Sequence, residues 1–567
     1  MTSGFAVLLG FALITGCKPA KPAGQAASDG RPTRGGASPG AGELAVTPAI
    51  AAGAADLYED VTARAGIKFV HQFCDTRIAN IIESNGAGAA ILDYDNDGFV
   101  DVYLVNSGPL AGVTHEKPGT AREPNRLYRN RGDGTFEDVT QKAGVGGAGY
   151  GIGVAAADID NDGFTDLYVV NIGRSILYRN RGNGTFEDIT DKAGVANGHT
   201  GLGAAFLDVD GDGKLDLFVA NYLTFDPNYN LYYNPDGYPG PLSYKSELNT
   251  LYRNRGDGTF EDISEKAGVR LPGHRAMSVC AFDFDKNGAA DIYLCNDATP
   301  NMLLVNDGKG HFQESAVKLG VAFNALGEAA GSMTAAIGDC NGDLIPDILV
   351  SRFGYGSLYV GSPQKTFTDR MMASGLGALT AQYVGWGSNF LDYDNDGDLD
   401  AFVANGDAHY LVGWESLLLE NTGDGKFVDV AAKGGAYFKT KLRGRGSVVL
   451  DYDNDGRMDI LVTAIGDRPF LLHNRSASGN HWVTFDLQGT KSNRDGFGAQ
   501  ITVNAGGKSY YTEAHCPSAF LGQSDRRVHL GLGAAQAVAK VEIKWPSGAV
   551  QSVENLAVDR IHKLKEP

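Results

Sequence analysis

Residues 93–101 read DYDNDGFVD, with Asp at positions 1, 3, 5 and 9. Four carboxylates this close repel one another unless positive charge lies between them. The stretch recurs as DIDNDGFTD (158–166), DVDGDGKLD (208–216), DFDKNGAAD (283–291), DCNGDLIPD (339–347), DYDNDGDLD (392–400) and DYDNDGRMD (451–459). Seven copies spaced 50 to 75 residues apart exclude chance. A period of this size belongs to solenoids, propellers and arrays.

Each acidic loop lies between strands. Apolar runs such as GAGAAIL (86–92) precede it, and runs such as DVYLVN (101–106) follow it; alternation with β-branched and aromatic residues is strand-like. In five copies a glycine stands five residues before the first Asp: Gly88, Gly153, Gly203, Gly387 and Gly446. Glycine inside a strand marks close approach of another backbone, as at the crowded axis of a propeller. A second segment, LYRNRGDGTFEDVTQKAGV (127–145), alternates with the first and reads as two strands around an Asp-Gly turn. Two hairpins make one four-stranded blade. The last loop is followed by FLLHN (470–474) without a closing strand, while an orphan, LYEDVTARAGI (57–67), precedes the first loop. A repeat split between the two ends suits a ring. The expectation is an all-β chain: a seven-bladed β-propeller over 57–475 with calcium loops, then a small β domain over 476–567.

The spacing D-x-[DN]-x-[DN]-G-x-x-D converges side-chain oxygens on a hard cation, and glycine at position 6 permits the left-handed turn. An oxygen-only, flexible cage selects Ca²⁺ over Mg²⁺. The expected ligands are Asp93, Asp95, Asp97 and Asp101; Asp158, Asp160, Asp162 and Asp166; Asp208, Asp210, Asp212 and Asp216; Asp283, Asp285, Asn287 and Asp291; Asp339, Asn341, Asp343 and Asp347; Asp392, Asp394, Asp396 and Asp400; and Asp451, Asp453, Asp455 and Asp459. These positions hold 26 of the 68 acidic residues, and seven divalent ions would take the formal charge from −19 to −5. Loops 283–291 and 339–347 are expected to bind least tightly. The first carries Asn287 beside Lys286; the second carries Asn341, and Leu344 where glycine belongs. The pattern is like the first half of an EF-hand loop without its position-12 Glu. It resembles the calcium loop of FG-GAP/VCBS repeats, as in integrin alpha-subunit propellers.

Beyond residue 475 the repeat stops. KSNRDGFGAQITV (491–503), VHLGLG (528–533) and VEIKWPSG (541–548) resemble the ASPIC/UnbV domain. Together with the propeller, nearly the whole mature chain is similar to the cartilage acidic protein family. The resemblance implies an extracellular calcium-binding or adhesion-type role without a defined ligand or reaction.

Residues 5–15, FAVLLGFALIT, are too short to span a bilayer and suit the core of a signal peptide. They run into Ile14-Thr15-Gly16-Cys17, which resembles a bacterial lipobox, with Cys17 the lipidated residue; no Lys or Arg precedes the run. Residues 18–55 lack Phe, Tyr and Trp and read as a disordered tether. The expected location is the bacterial outer membrane, periplasm or cell surface, with the lipid as the sole membrane contact. A charge of −19 excludes nucleic acid as a natural partner. Cys280 and Cys295 flank one acidic loop, either as a cross-hairpin disulfide or as two small buried residues.

Several motifs dissolve on inspection. Gly36 to Gly40 matches G-x-S-x-G but lies in the tether, and the G-x-G-x-x-G over 144–149 leads into a strand. Arg131-Gly132-Asp133 and Arg255-Gly256-Asp257 have a turn counterpart in Arg181-Gly182-Asn183, so turn chemistry explains all three. His71, His409, His515 and His529 read as hydrogen-bonded structural residues. The insertion 222–250, with six Tyr, is either a functional loop or a cap over the channel. The leading reading is a monomeric binding or adhesion module for a protein or glycan ligand. The alternatives are an enzyme with a pocket at the propeller mouth, built from 222–250 and the C-terminal domain, and a structural protein of the envelope.

Overall fold

The computed structural model describes residues 44–114, 120–226, 238–516 and 518–567, all within one compact unit, Ser38–Pro567. The signal-like segment 1–17 with Cys17, residues 18–43 of the expected tether, and 227–237 of the Tyr-rich insertion lie outside the described residues.

Among the described residues, every Asp loop joins the first two strands of a four-stranded antiparallel sheet. In the second sheet Tyr150–Ala157, Asp166–Arg174, Ile176–Asn180 and Phe186–Asp188 pair in chain order. The same order recurs from Ala89–Leu92 to Phe136–Asp138, from Asn197–Leu207 to Phe260–Asp262, from Ala276–Phe282 to Phe312–Glu314, from Ser332–Gly338 to Phe367–Asp369, and from Gly385–Leu391 to Phe427–Asp429. The seventh sheet draws on both ends of the chain. Gly444–Leu450, Asp459–Ala464 and Phe470–Asn474 are completed by Tyr58–Asp60, with Tyr58 opposite Asn474. Orphan strand and missing strand therefore meet, and the mostly β architecture is consistent with a propeller.

Neighbouring sheets pack face to face. Ala90, Tyr103 and Leu127 of the first share a core with Val154, Leu167 and Tyr178 of the second. Both faces of the inner strands are thereby buried, so Tyr150–Ala157 is buried at every position.

Residues after 475 form two more sheets. One pairs His481–Gln488 with Val528–Gly533 and Arg560–Lys565; the other orders Lys508–Ala514, Ala499–Ala505, Val538–Lys544 and Val550–Leu556. Their shared core centres on Phe485, Ile501, Val541 and Trp545. From this region a short hairpin, Ser518–Ala519 and Gly522–Gln523, enters the first sheet, where Gln523 pairs in parallel with Ala90. Val154 N–H donates to Leu521 O at 3.1 Å, and the Gln523 amide bonds both backbone groups of Ala156. This hairpin explains two of the recurrent glycines. A Cβ on Gly88 would lie 1.7 Å from Leu521 O, and one on Gly446 would lie 3.0 Å from Phe520 O. Gly203 and Gly387 instead face the backbones of Ser278 and Ser447 in the next sheets.

One expectation changes in detail, and two open alternatives close. Residues 44–55, read as the end of a free tether, are tied down: Thr47 N–H and Oγ1 donate to Asp467, and Arg468 donates to the carbonyls of Thr47 and Pro48. Their lack of aromatics did not matter, because backbone groups and the Thr47 hydroxyl make these bonds. The described part of the insertion packs as a cap. Tyr222, Leu223, Tyr238 and Tyr244 join a buried cluster with Trp386, Phe520 and Leu521, to which Ile152, Leu202, Met277 and Met333 of successive inner strands also belong. Tyr238 donates to Ala408 O at 2.6 Å and stacks on His409. Cys280 and Cys295 are buried and in no disulfide; Cys280 faces Tyr293 and Cys295 faces Ser278 across the hairpin.

Candidate metal centres

The Asp loops fold on their own carboxylates. In the first, Asp93 Oδ1 accepts from Asp97 N at 3.1 Å and Oδ2 from Gly98 N at 2.9 Å. Asp101 Oδ2 accepts from Tyr94 N at 2.9 Å and Oδ1 from Asn130 N at 2.7 Å. Position 6 adopts positive φ in every loop, from Gly163 and Gly288 at 94° to Leu344 at 67°. Position 4 does so as well, at Asn96, Asn161, Gly211, Lys286, Gly342, Asn395 and Asn454. Asn and Gly tolerate that region best, which accounts for their predominance at position 4.

Position 4 also links loop to loop. The side-chain amides of Asn96, Asn161, Asn395 and Asn454 donate to Gly163 O, Gly213 O, Gly456 O and Gly98 O. The last bond joins the seventh loop to the first. Lys286 takes the same role, its ammonium bonding Leu344 O. It is thus a bridging residue rather than a mere intruder beside the ligands. A second set of links runs the other way: Asn180, Asn254, Asn306, Asn421 and Asn474 each donate to the position-2 carbonyl of an earlier loop, and Asn130 donates to that of the seventh, Tyr452 O.

Positions 1, 3 and 9 of the first four loops come together. Asp93, Asp95 and Asp101 offer oxygens within 4.8 Å of one another, as do Asp158, Asp160 and Asp166, Asp208, Asp210 and Asp216, and Asp283, Asp285 and Asp291. Position 9 is buried throughout, with Asp101, Asp291, Asp347 and Asp459 at 0% exposure. Burial pushes Asp101, Asp166, Asp216 and Asp291 well above the usual carboxylate range; it carries Asp347 and Asp459 to about 7 and Asp400 to about 9. A divalent cation would reverse that shift by favouring the ionised form.

Whether a cation fits is decided at position 3. One oxygen of Asp95, Asp160 and Asp210 is held by Arg129, Arg179 and Arg253 at 2.5, 2.5 and 2.7 Å. The other oxygen, Oδ1, is buried without a hydrogen-bond partner in all three, and in Asp453 as well. An unsatisfied buried carboxylate oxygen is costly, and a bound cation satisfies it. Positions 5 mostly cap their own turns, as when Phe99 N–H donates to Asp97 Oδ1. The fourth loop is more crowded: Gln500 donates to Asp283 Oδ2 at 2.7 Å and Lys365 pairs with Asp285 at 3.0 Å.

Part of this rim lies under the C-terminal sheets. Asp158 N–H donates to Asp495, Asp283 N–H to Glu513, and Arg527 bonds Asn454 Oδ1 and Asp451 O. Cavities of about 200 and 150 Å³ remain between them, both lined by Asp93, Asp486 and Arg526. The histidines singled out in the sequence are structural: His71 bonds Ser107 and Gly466, His529 bonds Thr484 and Asn395, His515 bonds Glu513 O, and His409 stacks on Tyr238. The RGD tripeptides are turns, since Asp133 and Asp257 each accept from the following Thr, as Asn183 does. The sequence reading missed His473, which groups with Asp453 and Asp459; its signal was the alignment of FLLHN with LYRN.

Residues 93–169, 160–219, 233–294, 283–350, 339–403 and 392–462 match the FG-GAP-like repeat family, and residues 489–567 match the ASPIC and UnbV family. The chain is similar to cartilage acidic protein 1 of Homo sapiens, 24% identical over 56% of this chain and 40% of that protein. To the Mus musculus protein it is 25% identical over 84% of this chain and 73% of that one. The Xenopus tropicalis match covers 38% of that protein, so two of these three matches span well under half of the relative's length. Among solved structures it is similar to an Agrocybe aegerita lectin recognising non-reducing terminal N-acetylglucosamine, with a TM-score of 0.39 at 16% identity over 67% of this chain and 86% of that one. It is also similar to BBS1N in complex with ARL6DN, with a TM-score of 0.42 at 7% identity over 74% of this chain and 98% of that one.

Proposed function

The chain belongs to the FG-GAP-like repeat family, extended by an ASPIC and UnbV segment, and on that premise we propose that it is an exported, calcium-binding seven-bladed β-propeller that acts as a binding or adhesion module. The observation that carries the calcium reading is the buried, unpartnered Oδ1 of Asp95, Asp160, Asp210 and Asp453. Side chains at positions 1, 3, 5 and 9 would hold the ion, with the carbonyl at 7, and the ion would supply the positive charge that the loops lack. Links between successive loops make the ions part of the ring's mechanics rather than of any reaction. Loops 283–291 and 339–347 would bind least tightly.

The capped face supports binding over catalysis, because the described Tyr residues of the insertion are spent on packing. The ligand would be a protein or a glycan. Export and anchoring through Cys17 complete the reading: the lipobox-like Ile14–Cys17 would place the chain in the bacterial envelope as a monomer. Calorimetric titration of the metal-stripped chain with CaCl₂ tests the core claim. Several equivalents of uptake are expected; a melting temperature that EDTA leaves unchanged would sink it. For the anchor, Cys17→Ser should move the protein from the membrane to the soluble fraction.

A further inference from the structure

The penultimate residue of the third strand varies among the sheets, and in five of the seven it bonds or pairs with that sheet's Asp loop. In sheets one to three it is Arg129, Arg179 or Arg253, each paired with a position-3 carboxylate. Sheets four and five carry Val305 and Val360, and sheet six carries Glu420. Sheet seven carries His473. Its Nδ1 lies 3.3 Å from Asp459 Oδ1 and 3.7 Å from Asp453 Oδ2. The imidazole is 16% exposed and braced edge-on against the Tyr452 ring at 5.7 Å and 72°, so packing sets its direction. Nδ1 is sealed from solvent without a well-formed hydrogen bond, and so is Asp453 Oδ1. Asp459 is fully buried. Each of its oxygens accepts one backbone N–H, from Tyr452 and Asn474, which leaves a lone pair on each.

Resting on the reading of the loops as cation sites, we propose that the seventh loop and His473 form a mixed nitrogen–oxygen site that takes a borderline transition ion, with Zn²⁺ as its reference, in preference to Ca²⁺. A guanidinium has no lone pair and can only neutralise the loop from outside, whereas a neutral imidazole can ligate. Calcium is served by oxygen donors alone; imidazole suits zinc, copper, iron and nickel. Donor separations of 3.3 and 3.7 Å match the edges of a coordination shell with bonds of about 2.0–2.2 Å, the range for zinc with nitrogen and oxygen. The competing role for His473 is a protonated counter-ion that copies the arginines of sheets one to three, and metal preference separates the two.

The test uses the full chain stripped of metal, saturated with CaCl₂ and then titrated with ZnCl₂, for the wild type, His473→Arg and His473→Gln. The arginine variant reproduces sheets one to three, and calcium stoichiometry reports folding in both variants. The expected result is one zinc equivalent in the wild type that millimolar calcium does not displace. Both variants should weaken it by more than the roughly 10–100-fold that losing an outer-shell partner costs, with calcium uptake by the other loops unchanged. Cobalt substituted for that equivalent should give visible absorption in the wild type that both variants lose. A zinc event that persists in both variants overturns the proposal, as does a wild type that takes up calcium normally and no zinc. A wild type that takes up no calcium overturns the loop reading itself.

Discussion

The first and fifth Asp loops share a backbone and differ in what surrounds it. In both, the position-1 carboxylate accepts from the amides of positions 5 and 6, and the position-9 carboxylate accepts from position 2 and from the third strand. Both turn through positive φ at positions 4 and 6. The first loop has Asp95 held by Arg129, Gly98 at position 6, and Asn130 reaching to Tyr452 O of the seventh loop. The fifth has Asn341, Leu344 at φ 67°, and Gly361 where that Asn would stand. Gly361 is also confined, because a Cβ there would lie 2.6 Å from Pro346 O. Shape is therefore written in positions 1 and 9, which hydrogen-bond the loop to itself. On the proposed reading, cation affinity would be written in position 3 and its neighbours; in the fifth loop Asn341 Oδ1 instead accepts from Asp343 N at 3.0 Å. A loop can lose the second property and keep the first.

The largest effect should come from removing calcium, which tests whether the first loop's type governs the ring. At a hundredfold excess over Kd each site contributes about 2.7 kcal/mol, so several occupied sites should shift the melting temperature in EDTA by many degrees. The pH dependence sharpens the same contrast. Burial raises Asp158, Asp208 and Asp451 to about 7, 6 and 8. With folded values above unfolded ones, the protonated loops stabilise most below the ordinary carboxylate value, and that stability is lost as pH rises through 6 to 8. EDTA-treated protein should thus melt highest in acid, while the calcium-dependent increment should grow over the same window. A flat increment from pH 5 to 8 would contradict this.

Next in size, Asp95→Ala should remove one calcium equivalent and lower stability by about 2–3 kcal/mol in saturating calcium, with a far smaller loss in EDTA. Asn341→Ala in the fifth loop should change neither reading by more than about 0.5 kcal/mol. Equal losses at the two loops would erase the distinction between them. Leu344→Gly relieves a left-handed non-glycine residue that costs about 1–2 kcal/mol. Part of that is offset by the added freedom of the unfolded chain, so a gain of about 1 kcal/mol in denaturant unfolding is expected, with tighter calcium binding at that loop. The smallest effect belongs to the links. Asn454→Ala breaks the bond from the seventh loop to the first and should cost about 1 kcal/mol; no change would leave that link without weight.

Much of this was legible in the sequence because it is local and repeated. The loop, its glycine and the two hairpins recur, and the split repeat predicted that Tyr58–Asp60 would pair with Phe470–Asn474, as it does. The recurrent glycines were correctly read as places of close approach. What approached Gly88 and Gly446 was not readable, because the hairpin at 518–523 lies far away in the chain and has no pattern of its own. His473 was passed over for a related reason: a single His in a strand carries no signal until the strand is laid beside its loop. The end of the tether failed on composition, since residues 44–55 are anchored through backbone groups that composition does not register.

By itself the sequence determined the repeat and the turn of each Asp loop, because hydrogen bonds and turns within nine residues need only their own side chains. Only the tertiary structure decided which carboxylate oxygens remain without a partner, which side chain of the next strand faces each loop, and that the C-terminal sheets rest on that rim and send a hairpin among the inner strands. Those features depend on burial, and burial is set by elements hundreds of residues apart.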